Sequence, residues 1–273
     1  MQTDLTNGSV LKNIALFSLP FFLSYFLQTL YGLADLFIIG QFDGVDSITA
    51  VSIGSQIMHM ITVMIVGLSM GTTVCIAQAV GAKDKEKLRY CIGNTVTVFF
   101  IVSLLLTGLL LFFTDFIVAV VKTPDEAVAG TKEYLIICFI GIPLITAYNI
   151  VSSILRGMGD SKSPMYFIAI ACVANIILDY VFIGYFKLGA VGAALGTTLS
   201  QGISVICALT YINRNNSSDS FSFAYLKLKG NIAKRLLRIG IPICAQDGFI
   251  QVAFMVITVI ANMRGLTDAA AVG

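Results

Sequence analysis

Asn175-Ile-Ile-Leu-Asp179 lies inside an apolar run from Met165 to about Phe186. Residues four apart sit one above the other on a helix, so this stretch presents an amide and a carboxyl group on one face. An aspartate near the middle of a membrane costs ~2.5–3.5 kcal/mol on insertion scales and needs a partner or a water-filled cavity. The first apolar run supplies that partner. Asp35 follows Pro20 by fifteen positions, and Asp179 follows Pro164 by fifteen. If both prolines mark similar depths near the cytoplasmic side, the carboxylates lie level, roughly 22 Å further along their helices. Two membrane acids at matched depth point to a cation site.

The composition agrees with membrane-spanning runs. The 273 residues are 57% hydrophobic and 12% charged, with a mean hydropathy of +0.90, which describes a polytopic membrane protein. A net charge of +2 gives no reason to expect nucleic acid as a partner. The six cysteines (75, 91, 138, 172, 207 and 244) are scattered through apolar runs without a Cys-x-x-Cys or a His/Cys cluster. They read as reduced packing residues, and neither a metal centre nor an organic cofactor is expected. The first run is too long for a cleaved signal peptide and lacks a small-residue cleavage site. Asn-x-Ser/Thr matches at Asn7, Asn215 and Asn216 fall in segments read as cytoplasmic, and carry no meaning there.

Seven runs are long enough to span a bilayer: roughly 14–40, 48–80, 91–113, 134–155, 165–186, 190–212 and 237–263. The second would be roughly 50 Å long as a single helix against a ~30 Å hydrocarbon core, so it must tilt or project. Residues 116–121 form an apolar stretch too short to span and read as interfacial. With the N-terminus in the cytoplasm, the inside segments carry Lys12, Lys83, Lys85, Lys87, Arg89, Arg156, Lys162, Arg214, Lys227, Lys229, Lys234, Arg235 and Arg238. The outside segments carry Lys122, Lys132, Lys187 and Arg264. Thirteen against four is a positive-inside bias, and it sets the N-terminus in the cytoplasm.

Residues 214–236 are polar, rich in Ser, Asn and Lys, and read as a cytoplasmic linker between a six-helix lobe (1–213) and a restart (237–273). Leu19-Pro20 is echoed by Ile241-Pro242, and Asp46-Ser-Ile-Thr-Ala50-Val51 by Asp268-Ala-Ala-Ala271-Val272, both at an offset near 222 residues. A repeat of six spans preserves orientation, so the two halves are expected to be parallel repeats about an axis along the membrane normal. The sequence stops one helix into the second half, and the expectation is an incomplete polypeptide whose C-terminal lobe is missing.

Several longer motifs resemble one family. Gln78-Ala-Val-Gly81-Ala82-Lys83-Asp84-Lys-Glu-Lys-Leu-Arg89 resembles the loop after the second helix of multidrug and toxic compound extrusion (MATE) transporters. Arg156-Gly-Met-Gly-Asp160-Ser-Lys-Ser-Pro164 resembles their loop between helices four and five. The opening stretch, continued through Tyr-Val-Phe-Ile, and Gly189-Ala-Val-Gly192-Ala-Ala-Leu-Gly-Thr197-Thr-Leu-Ser-Gln201 are similar to helices five and six of the DinF-like branch. The resemblance runs from about Leu11 to the last residue. It implies twelve helices in two six-helix lobes, and a secondary antiporter rather than an enzyme. Such a protein exports organic, often cationic, drugs or toxins across the bacterial cytoplasmic membrane in exchange for H+ or Na+. Carried over residue by residue, the cation-coupling set falls on Asp35, Asn175, Asp179 and Thr197, with Na+ at Asp35 and Asp179 if sodium is the ion.

The residues support that chemistry on their own. Ser24, Gln28, Tyr31 and Asp35 recur at i, i+4, i+7 and i+11, one helical face, and with Asn175, Asp179 and Thr197 they fit the wall of an internal polar pocket. Gln28, Tyr31, Thr198 and Gln201 are the cavity-lining candidates. Two adjacent carboxylates resist double ionisation, so such a pair takes up a cation readily. Binding and release of that cation could then bias an outward–inward equilibrium through differential affinity. The bland alternative makes Asp35, five residues before Gly40, an interfacial residue. Pro143 inside the fourth run is expected to kink it, and Pro20 is a second hinge candidate near the cation site.

Other features receive plainer readings. Gly157-Met-Gly-Asp160 matches the Gly-x-Gly-Asp of intramembrane aspartyl proteases, but it sits in a basic, turn-rich loop and the partner Tyr-Asp dipeptide is absent from the sequence. Asp160 is therefore expected to cap a turn. His59, in a stripe with Ser52, Ser55 and Thr62, reads as a packing residue. Met58, Met60, Met64 and Met70 fit either an adaptable substrate wall or a lipid-facing surface. Lys83–Arg89 reads as an anchor on anionic lipid. Asp247 in the seventh run receives no role. A lipid-linked oligosaccharide flippase shares the expected fold but needs arginines or lysines inside its spans, and these runs carry almost none. An inactive truncated remnant is the remaining alternative.

Overall fold

The computed structural model describes residues 9–214, 226 and 229–263. The matches at Asn7, Asn215 and Asn216, the charges Lys227 and Arg264, the echo at 268–272 and most of the linker lie outside the described residues. Every described element is helical. Long helices are α1 (Val10–Phe42), α2 (Val45–Gly81) and α3 (Lys85–Phe112), followed by a short α4 (Thr114–Val120). Then come α5 (Val128–Ile140), α6 (Ile142–Gly157), α7 (Lys162–Asp179), α8 (Gly189–Arg214) and α9 (Gly230–Asn262). Among the described residues, six helices are individually long and apolar enough to cross a membrane, and α5 with α6 makes a seventh crossing bent by 48°. The fold is an all-α polytopic membrane protein.

The helices overrun the apolar runs because their polar end residues are also helical. The fourth run starts six residues late, since Thr131, Lys132 and Glu133 already lie in α5. At 37 residues α2 is about 55 Å long. Residues 116–120 of the short apolar stretch lie in α4, whose Asp115 pairs with Lys132 of α5 at 2.7 Å. The near end of the bundle carries the start of α1 and the α2–α3 and α6–α7 turns, and its turn chemistry is legible. Lys83 takes a left-handed φ of 56°, the Asp84 amide closes on the Ala79 carbonyl at 3.0 Å, and the Asp84 side chain accepts from the Lys87 amide at 2.9 Å. Asp160 accepts from the amides of Lys162 (3.1 Å) and Ser163 (3.0 Å), the Ser163 hydroxyl (2.6 Å) and the Tyr211 hydroxyl (3.2 Å). That is turn capping, as the sequence led one to expect.

Two apolar clusters form the core, one above the other. The far cluster joins Ile38, Ile57, Leu135, Phe139, Ile145 and Ala194, and the near one joins Ile76, Phe99, Tyr148, Ile168, Ala171 and Val205. Between them runs a layer of buried polar side chains: Asp35 on α1, Thr146 on α6, Asn175 on α7, and Ser200 and Gln201 on α8.

Helix α9 lies along α2 at backbone distance. A Cβ on Gly71 would strike the Leu236 carbonyl oxygen, and one on Gly240 the Leu68 carbonyl oxygen. A Cβ on Gly67 would come within 3.0 Å of the Cys244 backbone and 2.9 Å of Asp247 Oδ2. This is the small-residue crossing that membrane helices use in place of a hydrophobic driving force. The α9 entrance is tied down as well. The Lys229 amide donates to Asn94 Oδ1 (2.8 Å), the Thr97 hydroxyl to the Leu226 carbonyl (2.8 Å) and Arg235 to Gln78 (2.6 Å).

Candidate functional site

Asp35 and Asp179 flank one turn of α8. The Thr197 hydroxyl donates to Asp35 Oδ2 at 3.1 Å. Its neighbour Gly196 backs directly onto Asp179, whose Oδ1 occupies the space a Cβ would take. Asp179 and Asn175, from α7, lie within interaction range of the Asp35 carboxylate without closing a well-aligned hydrogen bond to it. Asp35 is 2% exposed, and Asn175 and Asp179 are 0% exposed. Among the described residues, Asp35 Oδ1, both Asp179 oxygens and both Asn175 side-chain polar atoms have no hydrogen-bond partner. Buried polar groups are rarely left without partners. Four unpaired acceptor oxygens stand against one unpaired amide donor, a set suited to a small cation.

A local irregularity sets Asp179 in place. It ends α7, and the chain continues as a wide turn, Tyr180–Tyr185, in which the Phe186 amide reaches back five residues to the Val181 carbonyl at 3.0 Å. Such wide turns recur at functional sites. The fourth crossing is broken nearby. It bends at Gly141, two residues before Pro143, and the Phe139 carbonyl that Pro143 cannot satisfy accepts from the Thr107 hydroxyl at 3.3 Å. Helix α1 runs through Pro20 as one element, with the Ser24 hydroxyl on the Pro20 carbonyl at 2.8 Å.

Asp35 also opens onto a cavity of about 510 Å³ between α1, α2, α5, α6, α8 and α9. Gln28, Tyr31, Thr197 and Gln201 line it. Thr198, one position round the helix, points elsewhere and packs against Gly141 at the bend. Asn175 and Asp179 lie behind Asp35, outside the lining. His59 faces the cavity with Ser55, Thr62 and Met58, whereas Met64 packs on Gly248. Asp247 lies beside Gly67, outside the cavity lining. Sequence reasoning missed Tyr25, Gln56, Tyr134, Tyr148, Asn149, Gln251 and Thr258, all in the wall. Polar residues inside apolar runs, such as Asn149 and Gln251, are the signal that could have found them. The Thr258 hydroxyl bonds the Gln56 side chain across the α2–α9 seam. Arg156 lies below, its guanidinium 4.5 Å from the Phe21 ring centroid.

With this geometry in view, the relatives can be placed. The chain is 34% identical over 269 residues to the probable multidrug resistance protein YpnP of Bacillus subtilis (strain 168), an alignment covering 96% of this chain and 58% of that protein. It is 28% identical over 251 residues to the multidrug export protein MepA of Staphylococcus haemolyticus (strain JCSC1435), covering 92% and 54%. Among solved structures, an outward-facing multidrug resistance MATE family transporter of the MOP superfamily superposes with a TM-score of 0.86 at 28% identity, over 96% of this chain and 58% of that one. The chain thus spans somewhat over half the length of the proteins it matches. The family profile described as MatE matches residues 20–181, from the first helix through both acids of the site, and the chain belongs to that family.

Proposed function

We propose that this chain is the cation-binding lobe, with the first helix of the second lobe, of a secondary antiporter that exports organic, often cationic, compounds in exchange for H+ or Na+. The observation that carries the reading is the buried Asp35–Asp179–Asn175–Thr197 group, rich in unpaired acceptors and adjoining a cavity through Asp35. An unpaired carboxylate at this depth is costly unless it takes up a cation, and uptake and release supply the differential affinity that alternation needs. The proposed setting is the bacterial cytoplasmic membrane, N-terminus inside, with a C-terminal six-helix lobe as partner and no enzymatic step. The names of YpnP and MepA support drug export.

The flippase reading finds less support. The described cavity wall carries one carboxylate, Asp35, and neither lysine nor arginine to hold a pyrophosphate. The decisive experiment expresses the complete reading frame in a drug-sensitive bacterial host and compares Asp35→Asn and Asp179→Asn with wild type. Coupled efflux is expected to vanish in both while membrane insertion stays normal. Unimpaired efflux in both refutes the proposal.

A further inference from the structure

The Asp179 carboxylate occupies room that a neighbouring helix would ordinarily fill. Opposite it on α8, a Cβ at Gly196 would run into Asp179 Oδ1, with Asp179 Cγ at 3.2 Å and Asn175 Nδ2 at 3.5 Å. One turn earlier on the same face, a Cβ at Gly192 would meet the backbone of the wide turn, at 3.1 Å from Phe182 C and 3.2 Å from Ile183 N. At Gly202, further along α8, a Cβ would meet only Leu144 Cδ1 at an ordinary 3.6 Å. Close helix packing through glycines is common in membranes. What sets this pair apart is the cargo it faces. Asp179 and Asn175 are fully buried, lack hydrogen-bond partners and converge on Gly196.

We infer that Gly196 is a positioning residue for the acid pair, acting through Asp179: its missing Cβ seats the Asp179 carboxylate against α8, next to the Thr197 hydroxyl that holds Asp35. The inference rests on the cation-site reading. Because 196 and 197 are consecutive residues of one helix, the seat of the Asp179 carboxylate and the hydroxyl that donates to Asp35 are carried by the same element. Gly192 lets the backbone of the wide turn that follows Asp179 pack directly on α8, so that backbone is already in close contact one turn from the site. The adjustment falls on the Asp179 side chain, whose carboxylate must leave its seat against Gly196.

The test compares Gly196→Ala with Gly202→Ala in the protein expressed from its complete reading frame and reconstituted in liposomes. The cation concentration for half-maximal efflux of ethidium is expected to rise at least tenfold in Gly196→Ala and to stay within twofold in Gly202→Ala. Ethidium binding without a gradient is expected to change less than twofold in either. A thermal double-mutant cycle reads the seat itself. Gly196→Ala should lower Tm by about 3 °C or more in the wild-type background and by nothing measurable in Asp179→Ala, where the colliding group is gone. A penalty that persists in Asp179→Ala assigns the glycine to general packing and overturns the inference. So does an unchanged cation requirement in a Gly196→Ala protein that shows the cycle. The cycle needs no transport, so a protein that exports nothing refutes the antiporter reading while the seat is still decided.

Discussion

The α2–α9 crossing gives a prediction whose size follows from the contacts. A methyl group added at Gly71 meets backbone on every near side: the Leu236 carbonyl oxygen, its carbon at 3.0 Å and the Gly240 amide nitrogen at 3.2 Å. A methyl group at Gly240 meets the Leu68 carbonyl oxygen, its carbon at 3.0 Å and Leu68 Cα at 3.1 Å. These nearest atoms are all backbone and cannot rotate aside, so the helices themselves must separate. Overpacking of this kind costs about 1–3 kcal/mol. At roughly 2–4 °C per kcal/mol, Gly71→Ala and Gly240→Ala should each lower Tm by ~2–12 °C. The two share one crossing, so the double variant should lose less than the sum, because the first methyl group already parts the helices. Gly108→Ala on α3, with nothing within 4 Å of the added carbon, is the control and should lose nothing. Four of the six free cysteines are buried, so a thiol-reactive fluorophore reports the melt. Wild-type melting of both Gly71→Ala and Gly240→Ala would mean that the helices do not touch at backbone distance.

Two further substitutions test the site and its surroundings. Thr197→Val removes the donor to Asp35 Oδ2, a bond to a charged group worth about 1.5–3 kcal/mol, and should cut dye efflux severalfold while Thr197→Ser keeps it; equal efflux from both variants would show that the hydroxyl is idle. Asp160→Ala strips two amides and two hydroxyls of their acceptor and should cost about 0.5–2 kcal/mol in the melt, yet leave efflux near wild type; a complete loss of efflux in a folded protein would give Asp160 a role beyond the turn.

Hydrophobic runs and turn residues made the crossings legible in the sequence, because each depends on local composition. The same holds for Asp35, Asn175 and Asp179, since an acid inside an apolar run stands out without any knowledge of its neighbours. Thr197 was reached through family resemblance, and its bond to Asp35 is a tertiary fact. The wide turn after Asp179 left no mark, because one extra residue per turn needs no particular side chain. Gly196 reads as a small residue in Gly-Ala-Ala-Leu-Gly196 until α7 is set beside it. The bend of the fourth crossing was expected at Pro143 and falls two residues earlier at Gly141, against which Thr198 of α8 packs, a neighbour no local spacing reveals. Half the cavity wall comes from α2, α6 and α9, and no spacing within one run predicts which helices will meet.

Asp35 belongs to two neighbourhoods at once. Behind it lie Asp179 and Asn175, away from the cavity, and in front of it lies the cavity with Gln28, Tyr31 and Gln201. Under the proposed antiport, the coupling cation and a cationic substrate therefore draw on the same carboxylate from opposite sides. Linkage then makes their antagonism reciprocal: a cation that weakens substrate binding tenfold is itself weakened tenfold by the substrate, a coupling of ~1.4 kcal/mol. No relay between distant sites is needed for that exchange, because one side chain carries it. What the rest of the fold must supply is alternation of access. The least costly places to move are those where the backbone ladder is already interrupted. Gly141–Pro143 in the fourth crossing and Pro242 in α9 meet that condition. Both lie in crossings that wall the cavity.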